Sequence, residues 1–198
     1  MANRPSRLAV AIHEAGHAIA QLSTGPAPWI DYISIGGDDP DQLGLVHTEA
    51  MWQPGEMLHT AAPPEVIEQW RALADRDVVN FLAGPIAELR WRHSRAAIWL
   101  GARQMAERCL GEPTPAEHTD FGRVRRRLCW AHPGREREAF NEAWLATEEL
   151  VATWWREIVQ LGRELARKER IENKELRAMW AELRERRRPG VGGGGAVH

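Results

Sequence analysis

The chain has 198 residues, 43% of them hydrophobic, and a formal net charge of -2. That length suffices for one domain with its own core. The near-neutral balance excludes a bulk electrostatic pull toward nucleic acid or an anionic membrane surface.

In chain order, Ser6 is placed to cap a helix over Arg7–Ser23, and Gly25-Pro26 ends it. Leu8, Ala11, Ile12, Ala15, Ile19 and Leu22 form an apolar stripe along this helix. Residues 29–35 (WIDYISI) alternate in strand fashion, and residues 43–48 (LGLVHT) make a second short strand beyond a Gly/Asp/Pro-rich turn. Residues 51–64 read as loop, with Pro54-Gly55 and Pro63-Pro64. A helix from about Glu65 carries Val66, Ile67, Trp70, Leu73, Val78, Phe81 and Leu82. At Gly84-Pro85 the missing N–H and the ring clash are expected to kink or break it, with the helix resuming over residues 86–91. A further helix is expected over residues 96–109, and one capped by Thr119 running to about Trp130. A single long helix over residues 136–168 and a shorter one over residues 173–187 close the pattern. Residues 189–198 are a Gly-rich tail expected to be disordered. The fold class is therefore mainly α with a small N-terminal β hairpin or sheet, forming one domain over residues 1–188.

The minor features point to ordinary surfaces. Arg125-Arg126-Arg127 and Arg186-Arg187-Arg188 lie among Glu and apolar residues, and read as solvated helix faces. Ten tryptophans are scattered without a period and read as core and interface filler. Cys109 and Cys129 form no CxxC, so no disulfide framework is expected, in keeping with a reducing cytoplasm. No secretory apolar region precedes the first helix and no run reaches spanning length, so membrane insertion is not expected.

The chemistry concentrates in His13-Glu14-Ala15-Gly16-His17, an HExxH sequence on the first helix. Imidazoles at i and i+4 stand about one turn apart on one face and can reach the same Zn²⁺. Glu14, beside His13, is placed to act as a general base on a water. Around the apolar stripe, the opposite face is Ala, Gly and Val interrupted by His-Glu-His, as expected for the floor of a cleft. A catalytic zinc takes a third protein ligand. Ser23 stands where a metzincin would have its third His. Glu49, Glu56, Glu65, Glu88, His118 and Asp120 all have suitable chemistry, and spacing does not choose among them.

Four segments in order resemble the peptidase domain of the FtsH-type, ATP-dependent zinc metalloproteases. They are residues 11–18 (AIHEAGHA), residues 32–35 with 43–45 (YISI and LGL), residues 82–88 (LAGPIAE) and residues 118–124 (HTDFGRV). The likeness covers about residues 7–183. It implies Asp120 as the third zinc ligand; His118 stays as the backup because an apparent insertion precedes this segment. It implies Glu88 as the outer carboxylate that orients a ligand histidine. It also implies a cleft lined by Ile33, Ile35, Leu43, Gly44 and Leu45, where an extended polypeptide is held as an added strand. Pro85 replaces the family's usual arginine and stands to re-aim Glu88, and about twenty residues between 91 and 115 look inserted.

The family joins this domain to an ATPase ring and membrane helices, but this chain contains no GxxxxGK[ST] loop. The expectation is a freestanding zinc endopeptidase acting on extended polypeptides, without ATP binding and dependent on a separate factor for delivery of folded substrates. A hexamer is what the resemblance implies for assembly. The alternative is a zinc-containing interaction or regulatory module without proteolysis.

Overall fold

The computed structural model describes residues 6–24, 30–36, 44–48, 63–93 and 104–187. Helix α1 (Arg7–Ser23) is capped by Ser6, whose Oγ accepts from the Ala9 N–H at 3.2 Å. Two strands follow, β1 (Ile30–Ile35) and β2 (Gly44–Thr48), and then helix α2 (Pro64–Arg92). The described part of α3 covers residues 104–110. After it come α4 (Asp120–Ala131), α5 (Glu136–Thr153), α6 (Trp155–Lys168), β3 (Arg170–Glu172) and α7 (Asn173–Arg187). The molecule is mainly helical with one small antiparallel sheet, as the sequence predicts. The expected tail, residues 94–103 of the apparent insertion, and Leu43, Glu49 and Glu56 lie outside the described residues.

Helix α1 is the axis of the core. It packs against α2 on one side, α6 on another and β1 on a third. The face of α1 opposite the apolar stripe, expected as the floor of a cleft, is therefore covered as well. Eleven of its seventeen residues are buried, Glu14, His17 and Gln21 among them. Its small residues serve close approach rather than solubility. A methyl group on Gly16 would lie 2.6 Å from the Ala83 carbonyl oxygen of α2. On α6, a methyl on Gly162 would lie 2.7 Å from the Ile12 Cδ1. With no Cβ at either contact, the helices sit closer together than larger residues permit.

The sheet order is β2-β1-β3, and both pairings are antiparallel. Ile33 of β1 lies opposite Val46 of β2 and Ile171 of β3. A bulge between Ile30 and Tyr32 shifts the register of the first pair. The third strand makes the expected hairpin or sheet a three-stranded sheet. It is three residues long, too short for any alternating pattern to show. The chain reaches it through Glu169 in the left-handed conformation, φ 68°, and the Asn173 side-chain amide donates to the Ile30 carbonyl. One core of buried residues joins α1, the sheet and α2 through α7.

Three local expectations are corrected. Helix α2 runs continuously through Gly84 and Pro85. A buried helical proline costs about 3 kcal/mol, but Phe81, Leu82 and Ile86 around it are buried. Each such side chain contributes about 1.5–3 kcal/mol on burial, so tertiary packing outweighs the local penalty. The long C-terminal helix is divided at Trp154 (φ -104°, ψ 17°) into α5 and α6. Trp154 packs on Trp180, with ring centroids 4.9 Å apart, and under the Arg187 guanidinium at 4.0 Å. Finally, Arg127 is not on a solvated face. It is buried and pairs with Asp77 of α2 at 3.0 Å.

Candidate metal centre

Three elements meet over the HExxH turn of α1. The first is α1 itself, bearing His13, Glu14 and His17. The second is α2, which passes across α1 where Ala83 meets Gly16. The third is the N-terminus of α4. There the Thr119 hydroxyl oxygen caps the helix by accepting from the Gly122 N–H at 3.1 Å. Because Thr119 satisfies the cap, the carboxylate of Asp120 is left to turn toward the histidines.

The His13 Nε2 lies 3.0 Å from Asp120 Oδ2 and 3.1 Å from His17 Nε2. His17 Nε2 lies 3.4 Å from the same carboxylate oxygen. These three atoms form a nearly equilateral triangle. Ligand atoms around a small four-coordinate cation, with bonds of about 2.0–2.2 Å, stand roughly 3.3 Å apart. Among the described residues, His13, His17 and Asp120 are the group able to hold a metal ion.

The tautomers follow from the outer partners. His13 Nδ1 donates to Glu88 Oε2 at 3.0 Å, and His17 Nδ1 donates to the Asn80 carbonyl at 2.7 Å. A carbonyl and a carboxylate can only accept, so both Nδ1 atoms carry hydrogen. Both Nε2 lone pairs then converge with an Asp120 oxygen on one point, an arrangement satisfied by a proton or a metal cation. The pKa values agree with this. Burial lowers the His13 imidazole, but hydrogen bonds to Asp120 and Glu88 and the nearby Glu14 charge hold it at about 10. Burial would raise Asp120, but the His17 charge and the His13 hydrogen bond outweigh it and hold its carboxyl well below the usual range.

Glu14 lies beside the triangle without joining it. It is 7% exposed. Burial raises its carboxyl pKa, a rise opposed by His13 and His17. Above it runs the start of β2: a methyl on Gly44 would lie 2.5 Å from Glu14 Oε1. The first residue of β2 is thus a lid on the carboxylate that only glycine can form.

Of the expected site residues, His13, Glu14, His17, Glu88, Asp120 and Gly44 are gathered in one place. Pro85 does not swing Glu88 away, because the helix continues through it. Glu65 and His118 are exposed and stand outside the triangle. The expectation for Ile33 and Ile35 is corrected. Both side chains point into the core, and β1 is paired on both sides. Among the described residues, the strand with an open edge beside Glu14 is β2, which carries Gly44 and Leu45.

Two residues at the site escape sequence reasoning. Asn80 acts through its backbone carbonyl, which any residue type supplies. Gly84 lies against the His17 ring so closely that a methyl there would overlap Nε2. Its signal is an isolated glycine inside a helical run, a position that can serve a close packing contact. No protein-family model matches the chain, and no curated protein matches it. Among the described residues, no helix is long and apolar enough to cross a membrane.

Proposed function

We propose that the chain is a zinc-dependent endopeptidase of the FtsH type, acting in the cytoplasm on unfolded or extended polypeptides. The observation that carries the reading is the triangle of His13 Nε2, His17 Nε2 and Asp120 Oδ2 with a buried Glu14 beside it. Two neutral imidazoles and one carboxylate, closed by nitrogen and oxygen donors, suit Zn²⁺. His13, His17 and Asp120 would hold the ion, which when bound would supply a water of lowered pKa and a Lewis acid for a carbonyl.

The protein's own groups do the rest. Glu88 and the Asn80 carbonyl fix the two rings, so that both Nε2 atoms face the same point. Glu14, with its carboxyl pKa raised by burial, is suited to take a proton from the attacking water and deliver it to the departing amine. The open edge of β2 offers backbone donors and acceptors to an extended chain running past Glu14. Recognition through an edge strand selects unfolded segments, since a folded substrate has no free strand to offer. Assembly as a ring and delivery of substrate by a separate factor belong to the same proposal, on the strength of the sequence motifs.

Glu14→Gln preserves shape and removes the base. Cleavage of an unfolded casein by the zinc-loaded variant is expected to fall by at least about 10²–10⁴-fold, with zinc content unchanged. A Glu14→Gln variant that cuts as well as the wild-type chain contradicts the mechanism. A wild-type chain that binds zinc and cuts nothing supports the non-proteolytic module instead.

A further inference from the structure

The two ligand histidines are held in unequal ways. His17 donates to a backbone carbonyl, that of Asn80 at 2.7 Å. This acceptor belongs to a buried stretch of α2 and has no rotamer freedom. His13 donates instead to the side chain of Glu88 at 3.0 Å. That side chain is half-buried and can turn about its terminal torsion, which is broad rather than confined to a single well. The orientation of His13 is therefore only as fixed as the carboxylate of Glu88.

The other oxygen of that carboxylate is engaged. Glu88 Oε1 accepts from Arg92 Nη2 at 2.6 Å. Arg92 lies one turn further along α2, in its last turn, where a cation is favoured by the unpaired carbonyls of the helix end. Glu followed by a basic residue at i+4 is the favourable order for such a pair. Arg92 is 39% exposed, and an i,i+4 pair of that exposure stabilises a helix only slightly. Its consequence lies at the far side of the carboxylate. With Oε1 anchored, Oε2 is presented to His13 Nδ1, and the ring then directs Nε2 at His17 and Asp120. The neighbouring arginine, Arg90, serves elsewhere, stacking over the Trp155 ring at 4.9 Å.

We propose that Arg92 is a positioning residue of the metal centre, acting through Glu88 to set the His13 ring. The proposal rests on the metal reading above and goes beyond it by naming a residue with no contact to any ligand atom. It makes a specific claim about coupling: Arg92 matters only while Glu88 is present.

The test uses the full chain as wild type, Arg92→Gln, Arg92→Lys, Glu88→Ala and the Arg92→Gln/Glu88→Ala double variant. Zn²⁺ affinity is measured by competition with a chromogenic chelator. Arg92→Gln is expected to weaken binding about tenfold, and Glu88→Ala on the order of 10–100-fold. The double variant is expected to be no weaker than Glu88→Ala alone, because the two act as one unit. Arg92→Lys, which keeps the charge and an N–H donor, should recover most of the loss. In the Co²⁺-loaded proteins, Arg92→Gln should alter the visible absorption band while leaving the metal-free circular dichroism spectrum unchanged.

Unchanged Zn²⁺ affinity in Arg92→Gln, or losses that simply add in the double variant, overturn the proposal while leaving the metal reading intact. A wild-type chain that binds no Zn²⁺ overturns both. Altered preference for acidic peptides at unchanged metal affinity assigns Arg92 to substrate contact and overturns the positioning role.

Discussion

At the scale of single residues, the centre depends on positions where no side chain fits. Gly84 is the sharpest case. Alanine is favoured over glycine inside a helix by about 1 kcal/mol, so helix propensity alone predicts that Gly84→Ala stabilises the protein. The methyl group, however, would occupy the space of His17 Nε2. Overpacking of this kind costs typically about 1–3 kcal/mol, and here the group displaced is a candidate ligand. The clash is expected to win: Gly84→Ala should lose most of its zinc and show no gain in thermal stability. A more stable variant with full zinc content contradicts the site geometry.

The protonation of His13 carries a second prediction. Its folded-state pKa, about 10, lies above the ordinary 6.5. A raised histidine contributes stability that is fully present below pH 6.5 and is lost as pH rises toward 10. The metal-free protein should therefore become less stable between about pH 7 and pH 10. Binding of a cation displaces the same proton, so zinc uptake at about pH 8 should release about one proton per site. Calorimetry in two buffers of different ionisation enthalpy measures that release. No release under those conditions means that His13 is already neutral in the metal-free protein.

At the scale of elements, the position of Asp120 is set by how α4 is docked. Asp120 and Arg127 lie two turns apart on α4. Arg127 reaches Asp77 of α2 at 3.0 Å, and both are nearly buried. Phe81 lies under the guanidinium groups of both Arg123 and Arg127. At the far end of the helix, His132 meets Asp75 of α2 at 2.6 Å. These contacts fix the register of α4 on α2, and with it the place of Asp120. Arg127→Met leaves Asp77 buried without its counter-charge, a change that costs about 3–5 kcal/mol. The midpoint of thermal unfolding should fall by on the order of 10 °C. Removing both charges, as in Asp77→Leu/Arg127→Met, should cost less than Arg127→Met alone. If the single variant unfolds at the wild-type temperature, the clasp is not what docks α4.

The elements also show why some of the fold is legible in the sequence and some is not. Helix α1 and its cap follow from local signals, Ser6 followed by a periodic run, and the structure reproduces them residue for residue. The His13–His17 pair is local too, because i,i+4 spacing is a property of one helix. The break at Trp154 leaves no trace, since neither Gly nor Pro marks it and the periodicity continues on both sides. Likewise, Arg127 looks like its neighbours Arg125 and Arg126 in sequence. Only the partner it finds on α2 makes it a buried residue.

For the whole molecule, the ordering principle is convergence on α1. The sheet, α2 and α6 cover its sides, and α4 closes the space over the two histidines. Spacing in the sequence leaves six residues open as third ligand. That Asp120, and not Glu65, Glu88 or His118, meets both Nε2 atoms depends on contacts between residues more than a hundred positions apart, as in His13 with Asp120. Strand β3 depends on the same kind of distant contact, joining β1 only after α6 has returned the chain. A site assembled in this way exists only in the folded chain, so a metal bound there would be coupled to folding.

The most direct test of the account is the amount of zinc bound per chain in metal-replete purified protein, measured by elemental mass spectrometry with His17→Ala as the control. The account predicts about one zinc per chain in the wild type and almost none in the control. A folded wild-type chain without zinc, or a His17→Ala chain that keeps it, contradicts the account.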